Sequence, residues 1–498
     1  MQLVANFLPE LLLSLAILLA LTLEMLSGKR HGRAIPWFGV VSLLLVSWIS
    51  VRRAVPGLDM ALLGEVQRAD FLTVVVRILA CLGGILALVA STGSREMEER
   101  GKPGEFTILV LGLVLGAMLF ASATNLLTLY VGLEFLSLVG YALAGLKVHS
   151  KGASEAGLKY VLFGGIASGI MVFGMSHLFG LTGSLDLSVI GQNLSILPGT
   201  PVLWVPLILI GAGFAYKLAL VPFHFWSPDV YEGCPTVSAA LLTTVPKLAG
   251  FAGLWHAMML VFPGGFLSTQ GSLASAQTAL FLASGLTLLA ILTMVVGALT
   301  ALSQSDARRI LAFSSITNAG VMLLAVVSWH DGASLAALLF YLVAYLFANT
   351  GAFLALDALQ NDGHGTKLSE LSGAWQRHPW IVVALVICVL SLVGLPPLAG
   401  FLGKWNLLRT VLVSAIPLEG GLLAIATLVV LASSVVLAFS YLRIVRACAV
   451  AETTVELEEN DYEASGESPW ALILCTAFAI ALGFGWPVIE LFQKWISP

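Results

Sequence analysis

Apolar stretches long enough to cross a bilayer as helices recur along almost the whole chain. Run length places about 14 spans. Their approximate limits are 3–26, 34–51, 70–92, 106–122, 125–147, 156–182, 201–222, 236–262, 275–300, 309–329, 333–358, 380–412, 420–447 and 469–492. The run 380–412 is long because Pro396 and Pro397 break it. The first run lacks a basic leading region and a small-residue cleavage site, so it reads as a spanning helix and not as a cleaved signal. The pattern predicts an all-α, polytopic membrane protein.

Ionisable residues inside these runs stand out. Lys159, Lys217, Lys247, Lys404 and Glu134 all fall within apolar spans. Charge at membrane depth is costly, which makes each a functional candidate. Lys217, Lys247 and Lys404 also lie near helix-breaking prolines: Pro222, Pro246, and the pair Pro396 and Pro397. A proline removes one N–H and frees a carbonyl one turn back, and a freed carbonyl within the bilayer must find a side chain, water or a neighbouring helix. Five such charges spread along one chain suggest a path for protons or ions rather than one pocket.

Composition agrees with the pattern and excludes other classes. The chain has 498 residues, 58% hydrophobic and 10% charged, against about 25% charged in soluble domains. It has no basic block of the kind that binds nucleic acid. Five dispersed cysteines without CxxC spacing argue against a disulfide framework, a zinc site or an iron–sulfur cluster. No phosphate loop or dinucleotide fingerprint is present. Lys/Arg bias sets the expected orientation. With the N-terminus outside, the inner loops hold Lys29, Arg30, Arg33, Arg95, Arg100, Lys102, Lys147, Lys151, Arg308, Arg309, Lys367, Arg377, Arg443 and Arg446, and the outer side only Arg52, Arg53, Arg68 and Lys494. Both termini are then expected outside, and the acidic stretch 452–467 inside.

The segments from Lys217 to Trp226 and from Ser391 to Trp405 resemble each other: each is an apolar helix broken by proline and followed by aromatic residues. They lie five spans apart, so two repeats containing them would be inverted, a sequence pointer to a transport site. Burial penalises a charged amine and a nearby carboxylate favours it, so a lysine with a movable partner can release and recover a proton. Glu134 is the expected partner of Lys217; the structural alternative is a static ion pair. Lys159 is a relay candidate, or it snorkels to the inner face. His224, just past Pro222, is a relay candidate or a packing histidine. Asp229 and Glu232 are expected at a membrane face in capping or loop contacts. Arg77, Glu10 and Glu24 are expected in interfacial or subunit contacts, and His256 as a packed histidine. Gly112xxxGly116 and Gly165xxxGly169 are expected to mark close helix packing.

At these residues the chain resembles the antiporter-like, proton-conducting subunits of respiratory complex I, a family that includes subunits of multisubunit cation/proton antiporters. The likeness rests on KLALVPFHFWSPDVYEGCPT with TTVPKLAGF, on LYVGLEFLSLVGYAL, on ALSQSDARRILAFSSITNAG and on GLPPLAGFLGKW. It runs from about residue 106 to 448, and the subunit N branch is most similar. The resemblance implies an antiporter-like fold of two inverted five-helix repeats, 106–262 and 275–448, with a three-helix extension at 1–105 and an acidic loop plus final helix at 449–498. It implies that Glu134 and Lys217 form a controlling pair, that Lys247 is the central proton carrier and that Lys404 follows it. Lys159 matches a family lysine. Asn318 stands where many relatives have histidine, and an amide cannot carry a proton. The resemblance further implies a subunit of an inner-membrane NADH–quinone oxidoreductase that translocates protons. This chain would bind no cofactor; NAD, FMN, iron–sulfur clusters and quinone would belong to partner subunits. Its partners would be a neighbouring antiporter-like subunit and small membrane subunits. The alternatives are a related complex with another electron donor, a cation/proton antiporter subunit, a stand-alone transporter and an inert scaffold.

Overall fold

A computed structural model describes residues 7–27, 34–53, 59–62, 67–98, 103–147, 150–195, 201–263, 273–328, 332–415, 421–449 and 469–496. The acidic stretch 452–467 lies outside them. The chain opens with α1 (Leu8–Ser27) and α2 (Ala34–Arg53), then an antiparallel hairpin of β1 (Asp59–Leu62) and β2 (Gln67–Asp70). The helices α3 (Phe71–Ser91), α4 (Arg95–Glu98), α5 (Pro103–Ala121), α6 (Leu126–Ala144), α7 (Lys151–Thr182) and α8 (Leu187–Leu194) follow. The first broken helix comprises α9 (Pro201–Leu218) and α10 (Trp226–Gly233). Next come α11 (Thr236–Val261), α12 (Leu273–Ser303), α13 (Ala307–Val327), α14 (Gly332–Asn361) and the short α15 (Ala374–Arg377). The second broken helix is α16 (Pro379–Val393) with α17 (Ala399–Ala415). After α18 (Gly421–Ala449), the chain ends in α19 (Trp470–Ala481) and α20 (Trp486–Ile496).

Among the described residues, eleven helices are long and apolar enough to cross a membrane. The first halves of the broken spans are shorter. The last expected span, 469–492, is not one straight helix: α19 and α20 bend by 77° across Gly485. The β hairpin was not anticipated, because two four-residue strands leave too little alternation to read.

Burial divides the helices. α11, α13 and α14 are enclosed throughout, as expected for helices that are apolar all round. α7, α12 and α18 sit outside and expose Leu162, Phe173, Leu292, Leu428 and Phe439. In a membrane these residues face lipid or other subunits. Helix starts carry short polar caps. Asp70 accepts from the Thr73 amide, Asn125 from Leu127, and Asp306 from Arg308 and Arg309. Two isolated bridges look alike: Asn125 pairs with Asp186, and Asp306 with Lys367.

Glycine packing holds for one motif and fails for the other. A Cβ on Gly116 would lie 2.8 Å from the Leu136 Cα, so α5 and α6 touch backbone to backbone. Nothing lies within 4 Å of a Cβ on Gly165 or Gly169. That face of α7 points outward, so the second motif makes no close contact among the described residues. Arg77 and Glu10 also differ from expectation. They pair with each other between α1 and α3, both almost fully buried. Glu24 packs against Gly104 at the start of α5.

Removing one member of a buried pair strands the other charge, at a cost of about 3–5 kcal/mol. Arg77→Leu is therefore expected to lower thermal stability in detergent strongly, and the double change Glu10→Leu/Arg77→Leu to restore most of it. Equal stability of the single variant and the parent chain would contradict an energetically coupled pair.

Candidate functional site

Three buried lysines sit on the broken helices and the central trio. Lys217 lies in the last turn of α9. The helix ends sooner than Pro222 requires, because Ala219 takes a left-handed conformation (φ 56°). The carbonyl of Tyr216 is taken up by the Trp226 indole at 3.1 Å, and the Val221 amide donates to Thr293 Oγ1 at 3.1 Å. These bonds engage two backbone groups at the break, which the bilayer interior would otherwise leave costly. Lys217 Nζ donates to Ser137 Oγ at 2.9 Å. The expected direct pair with Glu134 is not formed. Glu134 is one turn from Ser137 on α6, half-buried, and its Oε1 has no hydrogen-bond partner. The hydroxyl of Ser137 took the place that the charge pattern suggested for the carboxylate.

Lys247 occupies the middle of α11 and is fully enclosed. Its Nζ donates to the Ser315 carbonyl at 2.6 Å and to Ser315 Oγ at 2.8 Å, 6.0 Å from the Tyr345 ring centre. Lys404, on α17, reaches back across the second break. It donates to the carbonyls of Leu392 (3.0 Å) and Val393 (2.9 Å) at the end of α16, and to Ser434 Oγ (3.2 Å). A cation at a helix C-terminus complements its dipole. Gly394, at φ 90°, turns the chain there, and its missing side chain leaves room for the Lys404 stem.

The hydrogen-bond numbers separate the lysines. An ammonium carries three donors. Lys404 uses three, Lys247 two and Lys217 one. Lys404 therefore has the surroundings of a held ammonium. Lys247 keeps one position, a lone pair or an N–H, with which to exchange a proton.

Hydroxyl and amide groups extend from Lys247 toward Lys404. Ser314, next to Ser315, bonds Tyr441 Oη. Asn318 Nδ2 donates to Ser314 Oγ at 3.3 Å, and Tyr341 Oη donates to Asn318 Oδ1 at 2.8 Å. A Cβ on Gly403 would lie 2.6 Å from the Tyr341 ring, so this tyrosine lies against α17 beside Lys404. Sequence reasoning missed Ser137, Ser314, Ser315, Tyr341, Tyr345 and Tyr441. Uncharged hydroxyl residues are ordinary in membrane helices, and only their meeting across helices marks them.

The remaining candidates lie elsewhere. Lys159 is at the face, bonded to Asp229 (2.6 Å) and Glu155 (2.7 Å). Arg309 joins Asp229 and Glu232 there, as expected of a surface ion network. His224 is buried, with Nδ1 unpartnered, in the turn between α9 and α10. His256 is packed as expected: Nδ1 meets the Ala121 carbonyl and Nε2 meets Asp70, each at 2.7 Å. All five cysteines are buried and free. Among the described residues, no cluster of His, Cys, Asp or Glu could hold a metal ion.

The family described as NADH:quinone oxidoreductase/Mrp antiporter, TM, matches residues 123–418. The chain belongs to that family. NADH-quinone oxidoreductase subunit N of Geobacillus sp. (strain WCH70) is 35% identical over 80% of this chain and 81% of its own length. The protein of the same name in Granulibacter bethesdensis is 32% identical over 96% and 95%. A chain of respiratory complex I from Thermus thermophilus superposes with a TM-score of 0.75 at 30% identity, covering 98% of this chain and 99% of that one. The matched region encloses Glu134, Lys217, Lys247 and Lys404, whereas Ser434 and Tyr441 lie beyond it.

One carboxylate ties the helices of this site together. Glu96, on α4, pairs with Lys147 just beyond α6 and accepts from the Thr236 amide at the start of α11 at 2.8 Å. Burial alone would raise its carboxyl; the Lys147 ammonium, the hydrogen bonds from Lys147 and Thr236, and Arg308 hold it below the ordinary 4.5. A depressed folded value stabilises the fold above the unfolded value, and that stability is lost as pH falls through the folded one. Glu96→Gln is therefore expected to cost about 1–3 kcal/mol at neutral pH, and the difference from the parent chain to close as pH drops below 4.5. Thermal unfolding across that range measures it; a pH-independent difference would count against the charge.

Proposed function

We propose that this chain is an antiporter-like membrane-arm subunit of an NADH:quinone oxidoreductase. It moves protons across the plasma membrane while partner chains carry the electrons. The observation that carries this reading is the buried series Lys217, Lys247 and Lys404, with hydroxyl and amide groups of α13 and α14 lying between the last two. An inert scaffold gains nothing from three enclosed amines. In this reading NAD, FMN, iron–sulfur clusters and quinone are held by partner subunits, and a neighbouring antiporter-like subunit and small membrane subunits pack against the exposed helices. The Lys/Arg bias supports both termini on the outer side.

Protons are exchanged along the lysines in sequence. Charge arriving from a neighbour acts on half-buried Glu134. Glu134 and Lys217 do not touch, so their coupling is through space and through the Ser137 turn, and it changes as either group moves. Lys217 in turn biases Lys247, which accepts or releases a proton at its open position. Ser314, Asn318 and Tyr341 orient the link toward Lys404. Asn318 serves there as a hydrogen-bond bridge, not as a carrier. Lys159 and His224 are auxiliary at most: Lys159 is engaged at the face, and His224 keeps one free ring nitrogen beside the break.

The two halves, 106–262 and 275–448, are inverted repeats in this reading. The matching bridges support it: Asn125 with Asp186, and Asp306 with Lys367, each tie a capped helix start to a later loop. In this reading α6, α7, α9–α10, α11 and α12 each cross the membrane between them, so the two bridges lie on opposite faces.

Lys247→Ala in the assembled complex is expected to remove most of the pumping this subunit contributes. The number of protons moved per NADH in sealed vesicles measures it, and unchanged stoichiometry at unchanged turnover would sink the model. Gentle purification tests the assembly: an NADH-active flavin and iron–sulfur complex should accompany the chain. An assembly inactive with NADH would indicate another donor, and a lone chain an independent transporter.

A further inference from the structure

The lysine series needs a supply of protons, and a second polar column meets Lys247 from the opposite direction to Lys404. One turn before Lys247 on α11 stands Thr243. Its hydroxyl donates to the Ala240 carbonyl at 3.0 Å, which uses its single hydrogen. The 2.6 Å contact with Asn349 must therefore be donated by the Asn349 amide nitrogen, and the amide orientation follows from that bond. Asn349 Oδ1 is then left over: the residue is fully buried, and this oxygen has no partner. Thr350 Oγ1, on the next residue of α14, and Ser238 Oγ, on the same stretch of α11, are also buried and unpartnered. Tyr345 Oη bonds the Thr243 carbonyl at 3.3 Å and completes the approach to Lys247.

The column points to one face. Thr236 lies seven residues before Thr243, about 10 Å along the helix. Its hydroxyl meets Gln360 of α14 at 2.5 Å and Arg308 at 3.3 Å, and its amide meets Glu96. Arg308 Nε is another buried atom without a partner. Lys147, Arg308 and Arg309 all belong to the face that the Lys/Arg bias makes cytoplasmic. Buried polar atoms are rarely left unpaired, and ordered water is the usual partner when protein groups are absent.

We propose that ordered water seated on Asn349 forms an uptake branch that brings protons from the Glu96–Arg308 face to Lys247. Asn349 is its positioning residue. The branch rests on the reading of Lys247 as a proton carrier and adds to it an entry separate from Glu134 and Lys217. In the transfer, a protonated water gives its proton to the neutral Lys247 amine, which becomes the ammonium. The water regains a proton from the next one toward the face.

Two measurements on the assembled complex test it. A map that resolves water should show one within hydrogen-bond distance of Asn349 Oδ1; an empty position overturns the branch. Asn349→Leu should lower pumping per NADH by as much as Lys247→Ala does, and Asn349→Ser, which retains a water-binding hydroxyl, should recover most of it. If Lys247→Ala loses pumping but Asn349→Leu assembles and pumps normally, the branch is wrong and Lys247 keeps its role. If both pump normally, the carrier reading falls as well. Loss in Asn349→Leu without recovery in Asn349→Ser indicates a packing role and overturns the branch. If Asn349→Leu does not assemble, the water map decides.

Discussion

Every charge placed at membrane depth must find its hydrogen-bond partners inside the protein, and this constraint shapes the chain. Carbonyls in an unbroken helix are already engaged. A helix that stops within the bilayer offers free ones. Lys404 uses this directly, gathering the carbonyls of Leu392 and Val393 where α16 ends. The break near Lys217 is resolved the other way: the carbonyl of Tyr216 accepts from the Ala219 amide and the Trp226 indole, and the lysine turns to a hydroxyl on α6. Two breaks that look similar in sequence thus leave their lysines in different states of satisfaction. That difference is invisible in the presence of lysine alone.

The enclosure of α11, α13 and α14 makes such chemistry possible. Their surfaces meet on all sides, so Lys247, Ser315, Asn318, Tyr345 and Asn349 are brought together away from lipid. The outer helices shield them and present apolar faces to the surroundings. The ends of the trio are fastened by polar groups: Glu96 at the start of α11 and His256 near its other end, held by Asp70 and the Ala121 carbonyl. A helix anchored at both ends keeps its central lysine in register with the hydroxyls opposite.

Between α1 and α3, Glu10 and Arg77 form a buried pair that, among the described residues, shares no hydrogen bond or ion pair with the lysine series. Such a pair adds little net stability and instead specifies how α1 and α3 meet. The position of Asn318 shows the same economy in the site: an amide bonded to both Ser314 and Tyr341 preserves the geometry of the link without a titrating group.

The sequence by itself determined the membrane-spanning class, the places where helices break and the identity of the ionisable residues at depth. Apolar run length, proline and isolated charge are local signals, each with a cost that any membrane fold must meet. It also marked the glycines of α5 that allow α6 to approach. The tertiary structure decided who bonds to whom. Glu134 and Lys217 attract each other in any sequence reading, yet side-chain reach and helix rotation give Lys217 to Ser137. Gly165 and Gly169 have the same spacing as Gly112 and Gly116 but face outward. The hydroxyls and amides around Lys247 were unreadable in one dimension, because Ser and Thr at membrane depth can satisfy themselves on their own helix. Only the crossing of α11, α13 and α14 brought them together around Lys247.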